Sequence, residues 1–159
     1  MVYLGLGSNI GNGKAYFSYA IEKLRKIGYQ IRMSSYYRSE PLEDINQPLF
    51  LNAALEFNCP EDPHFLLNYI HEIEQEAGRV RIKDRRYGPR TLDIDILLFN
   101  DVVIDEIDLT IPHPKISERL FVLAPLLELN YHLINPVTGD RFSICEEKLA
   151  YQFVVREDL

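Results

Sequence analysis

The apolar positions of this chain switch between periods of two and of three to four, and the switches predict its elements. Residues 2–6 form a short apolar run that stops at Gly7-Ser8-Asn9, which predicts a buried strand and a turn. Tyr16, Ala20, Ile21, Leu24 and Ile27 recur at helical spacing, and Gly28 supplies a stop. Tyr29, Ile31, Met33, Ser35 and Tyr37 alternate with polar residues, as in a half-buried strand. Residues 38–48 hold Pro41, Pro48 and several acids with little periodicity, and are expected to form a long loop of the functional kind. Residues 50–57 give a further strand. Asp62-Pro63 reads as an N-cap followed by proline at the first helical position. Leu66, Ile70, Ile73 and Ala77 are the buried stripe of that helix, and Gly78 ends it. A last apolar strand follows Asp93.

The order β-α-β-β-α-β predicts an α+β protein, with a ferredoxin-like antiparallel sheet and its helices on one face. At 159 residues, one domain over 1–159 is expected. Beyond Phe99, Asn100-Asp101 predicts a two-residue hairpin turn into residues 102–104. Pro112-His113-Pro114 is extended or turned, and 120–129 is a short helix broken or begun near Pro125. Residues 131–159 read as a C-terminal extension of short elements, with a turn at Thr138-Gly139-Asp140.

The candidate chemistry concentrates at residues 79–95. Arg79, Arg81, Lys83, Arg85, Arg86 and Arg90 precede Asp93 and Asp95, which open the apolar strand. Alternate strand residues share a face, so the two carboxylates point the same way, roughly 6.5–7 Å apart at Cα. Leu92, Ile94, Ile96 and Leu98 should point into a core. The aspartates either hold a hard cation, Mg2+ or Mn2+, whose shell phosphates complete, or pair with Arg79 or Arg90 in a salt-bridge network. The arginines are either a solvated face or a phosphate clamp. Charge bears on that choice: 17 basic against 24 acidic residues leave −7, so the cationic run opposes the global sign. The same balance argues against non-specific nucleic-acid binding. An RNA-binding module of the same element order would want exposed aromatics in a signature strand, which this chain lacks.

Phe50 and Asn52 share one strand face, opposite Leu51 and Ala53. An amide beside an aromatic can read a planar heterocycle, or can be a half-exposed asparagine in a sheet. Phe121 is core or the second face of such a stack, and His113 is structural or a donor to phosphate. Gly5-Leu6-Gly7-Ser8-Asn9 lacks the third glycine of a dinucleotide fingerprint, and no Gly-Lys-Ser/Thr occurs, so neither a Rossmann nor a P-loop site is expected. Cys59 and Cys145 offer no metal spacing and no disulfide framework. No apolar stretch is long enough to span a membrane, and the N-terminus lacks a signal-peptide pattern; a cytoplasmic protein is expected.

Residues Arg85-Arg86-Tyr87-Gly88-Pro89-Arg90-Thr91-Leu92-Asp93-Ile94-Asp95-Ile96-Leu97 resemble the signature of the 6-hydroxymethyl-7,8-dihydropterin pyrophosphokinases of folate biosynthesis. Gly5 to Asn9, Tyr37 to Leu42, Gln47 to Ala54, Ile73 to Arg79 and Pro112-His113 match further family segments in order. The resemblance implies transfer of pyrophosphate from ATP, as co-substrate, to the pterin hydroxymethyl group, giving AMP. It implies two Mg2+ ions on Asp93 and Asp95, and Arg79 and Arg90 closing over the polyphosphate. Glu74, Arg81, Arg90, Ile96, Thr110, His113 and Arg119 would bind ATP. Ser39, Leu42, Phe50, Asn52, Asp95 and Phe121 would bind the pterin. Partners are then small molecules, without nucleic acid or membrane, and a monomer is the expected state. Tyr87 stands where some members have tryptophan, and Pro114 where some have tyrosine.

Overall fold

Strand β1 (Val2–Ser8) pairs antiparallel on both sides, with β4 (Phe50–Asn58) and with β5 (Asp93–Phe99), and so lies inside the sheet. The structure, a computed structural model, describes residues 1–43, 46–78 and 89–157. The strand order is β5-β1-β4-β3-β8, where β3 is Tyr37–Ser39 and β8 is Val154–Arg156, and β2 (Tyr29–Met33) also pairs with β4. The strand expected through Tyr37 is therefore broken in two. Ser34 Oγ accepts the Ala54 N–H at 2.9 Å while the Ser34 N–H donates to the Ala54 carbonyl at 2.9 Å. A hydroxyl thus replaces a carbonyl in the ladder and interrupts its regular register.

Helix α1 (Gly13–Leu24) starts where the Asn12 side chain accepts the Ala15 N–H. Helix α2 (Pro63–Glu76) starts where Asp62 accepts from His64 and Phe65, as the Asp-Pro pair predicts. Gly78, at φ +84°, takes the left-handed turn just past the helix end. Phe17, Ala20, Leu24, Leu66, Ile70 and Ile73 pack on Leu4, Leu6, Leu51, Leu55 and Ile94 of one sheet face. Each fully buried Leu, Ile or Phe side chain among them stabilises the fold by about 1.5–3 kcal/mol.

The other face is not bare, contrary to an arrangement with helices on one side alone. Helix α3 (Leu120–Leu129) packs on it. Leu123, Leu126, Leu127 and Leu129 join Tyr3, Ala54, Leu97, Leu133, Phe142 and Leu149 in a second core cluster. A helix this rich in leucine must bury more than one stripe, and the second sheet face supplies the surface. Pro125 sits inside α3 without ending it.

A bulge reassigns two side chains of β5. Tyr3 pairs with Leu98 but Leu4 with Ile96, so Leu97 is the extra residue. Ile94 and Ile96 reach the α1/α2 core as expected, but Leu98 turns to the second cluster and Phe99 takes its place in the first. The Leu97 carbonyl accepts the His113 N–H at 2.9 Å, which docks the Pro112-His113 segment against β5.

The turn at Asn100-Asp101 forms, with the Val102 N–H donating to the Phe99 carbonyl at 3.0 Å. The chain does not fold back on β5 there: β6 (Ile104–Asp105) pairs instead with β7 (Thr110–Ile111) in a separate two-stranded sheet. In the C-terminal segment Gly139 turns at φ +75° between the bridged residues Ile134 and Arg141. Helix α4 (Glu146–Leu149) follows, and β8 then adds to β3 at the sheet edge. No helix among the described residues is long and apolar enough to cross a membrane.

Candidate functional site

Register builds the site. Gly7 is paired with Asp93 on one side and with Asn52 on the other; Gly5 is paired with Asp95 and Ala54. Paired residues share a sheet face, so Asp93, Asp95, Asn52 and Phe50 all point to the face opposite α1 and α2. The two glycines between them carry no side chain and leave a floor. A Cβ on Gly7 would stand 3.8 Å from Asn52 Oδ1 and 3.9 Å from both Asp93 and Phe50. Above the floor is a cavity of about 410 Å³. Ser39, Leu42, Phe50, Asn52, Arg90, Asp93, Asp95, His113, Arg119 and Phe121 line it.

Other expected residues lie elsewhere. Glu74, Ile96 and Thr110 are not in the cavity wall. Ile96 alternates with Asp95 and so packs in the α1/α2 core. Glu74 is buried on α2, and its Oε1 accepts the Ile94 N–H at 2.9 Å, which ties α2 to the start of β5. Thr110 sits in β7, with its hydroxyl toward the Glu106 carbonyl. Arg79 and Arg81, with Lys83, Arg85, Arg86 and Tyr87, lie outside the described residues.

Asn52 is 3% exposed, and its Nδ2 donates to Ser39 Oγ at 2.9 Å. Longer approaches to the Tyr37 and Phe50 carbonyls, both 3.4 Å, orient the amide the same way. Oδ1 is therefore turned toward Gly7 and the floor, as an acceptor for a ring N–H. Phe50 and Phe121 add apolar wall, and the Arg119 guanidinium lies 5.9 Å from the Phe121 ring centroid.

Arg90 and Asp93 form an ion pair, as the salt-bridge alternative expects for that carboxylate. Asp95 differs: burial first, then the Asp93 charge, push it up to about 7, against the pull of Arg119. Two like charges at one enclosed spot are costly to keep ionised, and a divalent cation relieves that cost. Among the described residues no group of three or more His, Cys, Asp and Glu could hold a metal. Two carboxylates that leave other positions to phosphate and water are the donor set that suits Mg2+, so the residues fit the ion. His113 is held down to about 4, by burial first and then by Arg119. Its Nδ1 accepts the Lys115 N–H at 3.1 Å, which leaves Nε2 as the protonated nitrogen. A neutral imidazole with one N–H serves as a hydrogen-bond donor.

Asn9 is not in the wall of this cavity but bonds the backbone of Arg90, which is, and only its place in a motif marked it in the sequence. Its N–H donates to the Arg90 carbonyl at 3.1 Å and its Oδ1 accepts the Arg90 N–H at 2.8 Å. Its Nδ2 donates to Gln47 Oε1 at 3.2 Å and to the Pro48 carbonyl at 3.3 Å. One side chain at the end of β1 thereby joins the loop before β4 to the loop before β5.

The family model for 7,8-dihydro-6-hydroxymethylpterin-pyrophosphokinase matches residues 3–131. The chain is 43% identical over 131 residues to the 2-amino-4-hydroxy-6-hydroxymethyldihydropteridine pyrophosphokinase of Bacillus subtilis, covering 81% of this chain and 77% of that one. It is 42% identical over 137 residues to the protein of the same name from Aquifex aeolicus, covering 86% and 84%. It is 40% identical over 150 residues to the folic acid synthesis protein fol1 of Pneumocystis carinii, covering 94% of this chain but spanning only 20% of that longer protein. With the carboxylate pair, the amide and the glycine floor on one sheet face, these matches place the chain in the 7,8-dihydro-6-hydroxymethylpterin-pyrophosphokinase family.

Proposed function

We propose that the chain transfers the terminal pyrophosphate of ATP to the hydroxymethyl oxygen of 6-hydroxymethyl-7,8-dihydropterin, giving the pterin diphosphate and AMP in folate biosynthesis. The observation that carries this reading is the row Asn52–Gly7–Asp93. An amide that reads a ring edge and a carboxylate suited to a cation stand two strand spacings apart, about 9–10 Å, with nothing between them but backbone. A flat bicycle anchored at Asn52 lays its substituent toward Asp93 and Asp95. The names of the Bacillus and Aquifex relatives support the same substrate.

In this reading Asn52 Oδ1 takes a ring N–H, held in place by Ser39 Oγ. Phe50 and Phe121 cover the ring faces, and Leu42 closes over them from the loop after β3. Arg90 and Arg119 meet the polyphosphate, and His113 Nε2–H donates to a phosphate oxygen. Arg79 and Arg81 are assigned to the same polyphosphate from the sequence. Asp93 and Asp95 hold Mg2+, two ions in this proposal, which when bound supplies charge neutralisation and alignment of the phosphates. Phosphoryl transfer is driven by positioning and charge stabilisation, so these side chains suffice without a covalent intermediate. We also read the strand order, with α1 and α2 as the two crossovers, as the ferredoxin-like arrangement. The antiparallel pairing of every neighbour supports that.

The test is incubation with ATP, Mg2+ and the reduced pterin. AMP and a pterin diphosphate in equal amounts are expected; ADP as the nucleotide product would overturn the reading.

A further inference from the structure

We propose that Gln152, in the C-terminal segment beyond the family match, is a positioning residue that clamps residues 118–120 and thereby sets Arg119 and Phe121 against the cleft. The proposal rests on the functional reading above only for what the cleft binds. Gln152 is 7% exposed. Its Oε1 accepts the Leu120 N–H at 2.8 Å, and its Nε2 donates to the Glu118 carbonyl at 2.7 Å.

Both backbone groups need such a partner. Helix α3 begins at Leu120, and its N-cap residue Arg119 makes no side-chain capping bond. The first N–H groups of a helix have no partner within it. The 3-10 turn Ile116–Glu118 ends one residue earlier, which leaves its last carbonyl in the same position. A carboxamide offers an acceptor oxygen and a two-donor nitrogen in one plane; here it satisfies one group from each element, and the nitrogen also donates to Tyr151 Oη at 3.2 Å. Arg119 between them is extended, at φ −120° and ψ 104°. That geometry sends the flanking Arg119 and Phe121 side chains into the cavity wall.

Gln152 is itself fixed. Its N–H donates to the Leu149 carbonyl at 3.0 Å, and Leu149 is buried in the second core cluster. Two residues on, Val154 pairs with Ser39, whose hydroxyl orients Asn52. The C-terminal segment therefore braces two parts of the cavity wall, one through Gln152 and one through β8.

The experiment compares wild type with Q152A, Q152E and I70V, a core change on the other sheet face. The readouts are Leu120 amide exchange by NMR, melting temperature, calorimetric affinity for ATP and for the reduced pterin, and the kcat and KM for AMP formation. Q152A is expected to exchange the Leu120 amide about tenfold faster and to weaken both ligands about tenfold, the scale of losing two buried hydrogen bonds. Q152E keeps the acceptor, so it retains Leu120 protection and loses less affinity. I70V lowers the melting temperature and leaves Leu120 exchange and both affinities unchanged. Wild-type exchange at Leu120 in Q152A would overturn the proposal, as would ligand affinities in Q152A no weaker than those of I70V. A wild-type protein that makes no AMP would sink the functional reading instead, and the Leu120 exchange would still decide the clamp.

Discussion

Arg90 Nη1 lies 2.5 Å from Asp93 Oδ2, three residues further along the chain, with the side chains 18% and 20% exposed. This arginine is a counter-charge for a carboxylate that the proposed function assigns to a cation. The pair must open if Asp93 is to hold a metal and Arg90 is to meet polyphosphate. Arg90→Ala is therefore expected to move two measurements in opposite directions. kcat should fall roughly 10²–10³-fold, the scale of removing one stabiliser of developing charge. Mn2+ affinity without nucleotide, read by electron paramagnetic resonance, should rise because a competing cation is gone. A fall in both would contradict the exchange of partners.

Gly7 separates Asn52 from Asp93, and a Cβ there meets ordinary contacts of 3.8–3.9 Å rather than a clash. Gly7→Ala should fold with an unchanged or slightly higher melting temperature, since glycine in a strand costs more chain entropy than alanine. Pterin affinity should nevertheless fall at least about tenfold, because the methyl occupies the floor where the proposed function lays the ring. A variant that melts lower and binds pterin normally would show that the glycine serves the strand and not the site.

Asn9 reaches Arg90 through its oxygen and Gln47 and Pro48 through its nitrogen, so two substitutions separate the roles. Asn9→Asp keeps an acceptor for the Arg90 N–H and loses the donor to the loop before β4. Asn9→Ala loses both and leaves a half-buried N–H without its partner, at a cost of about 1–3 kcal/mol. The alanine variant should lose both melting temperature and kcat/KM. The aspartate variant should keep most of the melting temperature and lose kcat/KM alone. Equal losses of both quantities in the two variants would argue against a coupling of the loops.

His113 carries a pH signature of known sign. Its folded value of about 4 lies below its ordinary 6.5. Between those values the unfolded chain binds a proton that the folded chain does not. Stability from this site is therefore full above pH 6.5 and is lost as pH falls toward 4. Urea unfolding across that window should show a steeper acid loss for wild type than for His113→Asn. Above pH 5.5 the His113 ring resonances should not titrate. A titration near neutrality would remove the assignment of a neutral donor.

The aspartate pair and the amide beside Phe50 were legible in the chain, because strand parity alone puts Asp93 with Asp95 and Phe50 with Asn52; the cationic run lies, save for Arg90, outside the described residues. Parity failed at Leu98, where an inserted residue in β5 shifts the alternation and no local pattern announces it. The hairpin expected after Asn100 formed its turn but not its pairing, because strand partners are chosen across the fold. The bonds of Asn9 to Arg90 and of Gln152 to residues 118–120 were not legible, since an amide bonded to distant backbone has no spacing to read.

Periodicity, caps and alternation are properties of neighbouring residues, so the chain by itself determined helices α1 and α2, the main strands and, short of the bulge at Leu97, which of their side chains share a face. Tertiary structure decided which strands stand side by side. That placement sets two glycines between a carboxylate strand and an amide strand, and packs α3 on the second face. The physical reason is that register and burial are settled by partners far apart in sequence, whose meeting no local pattern encodes.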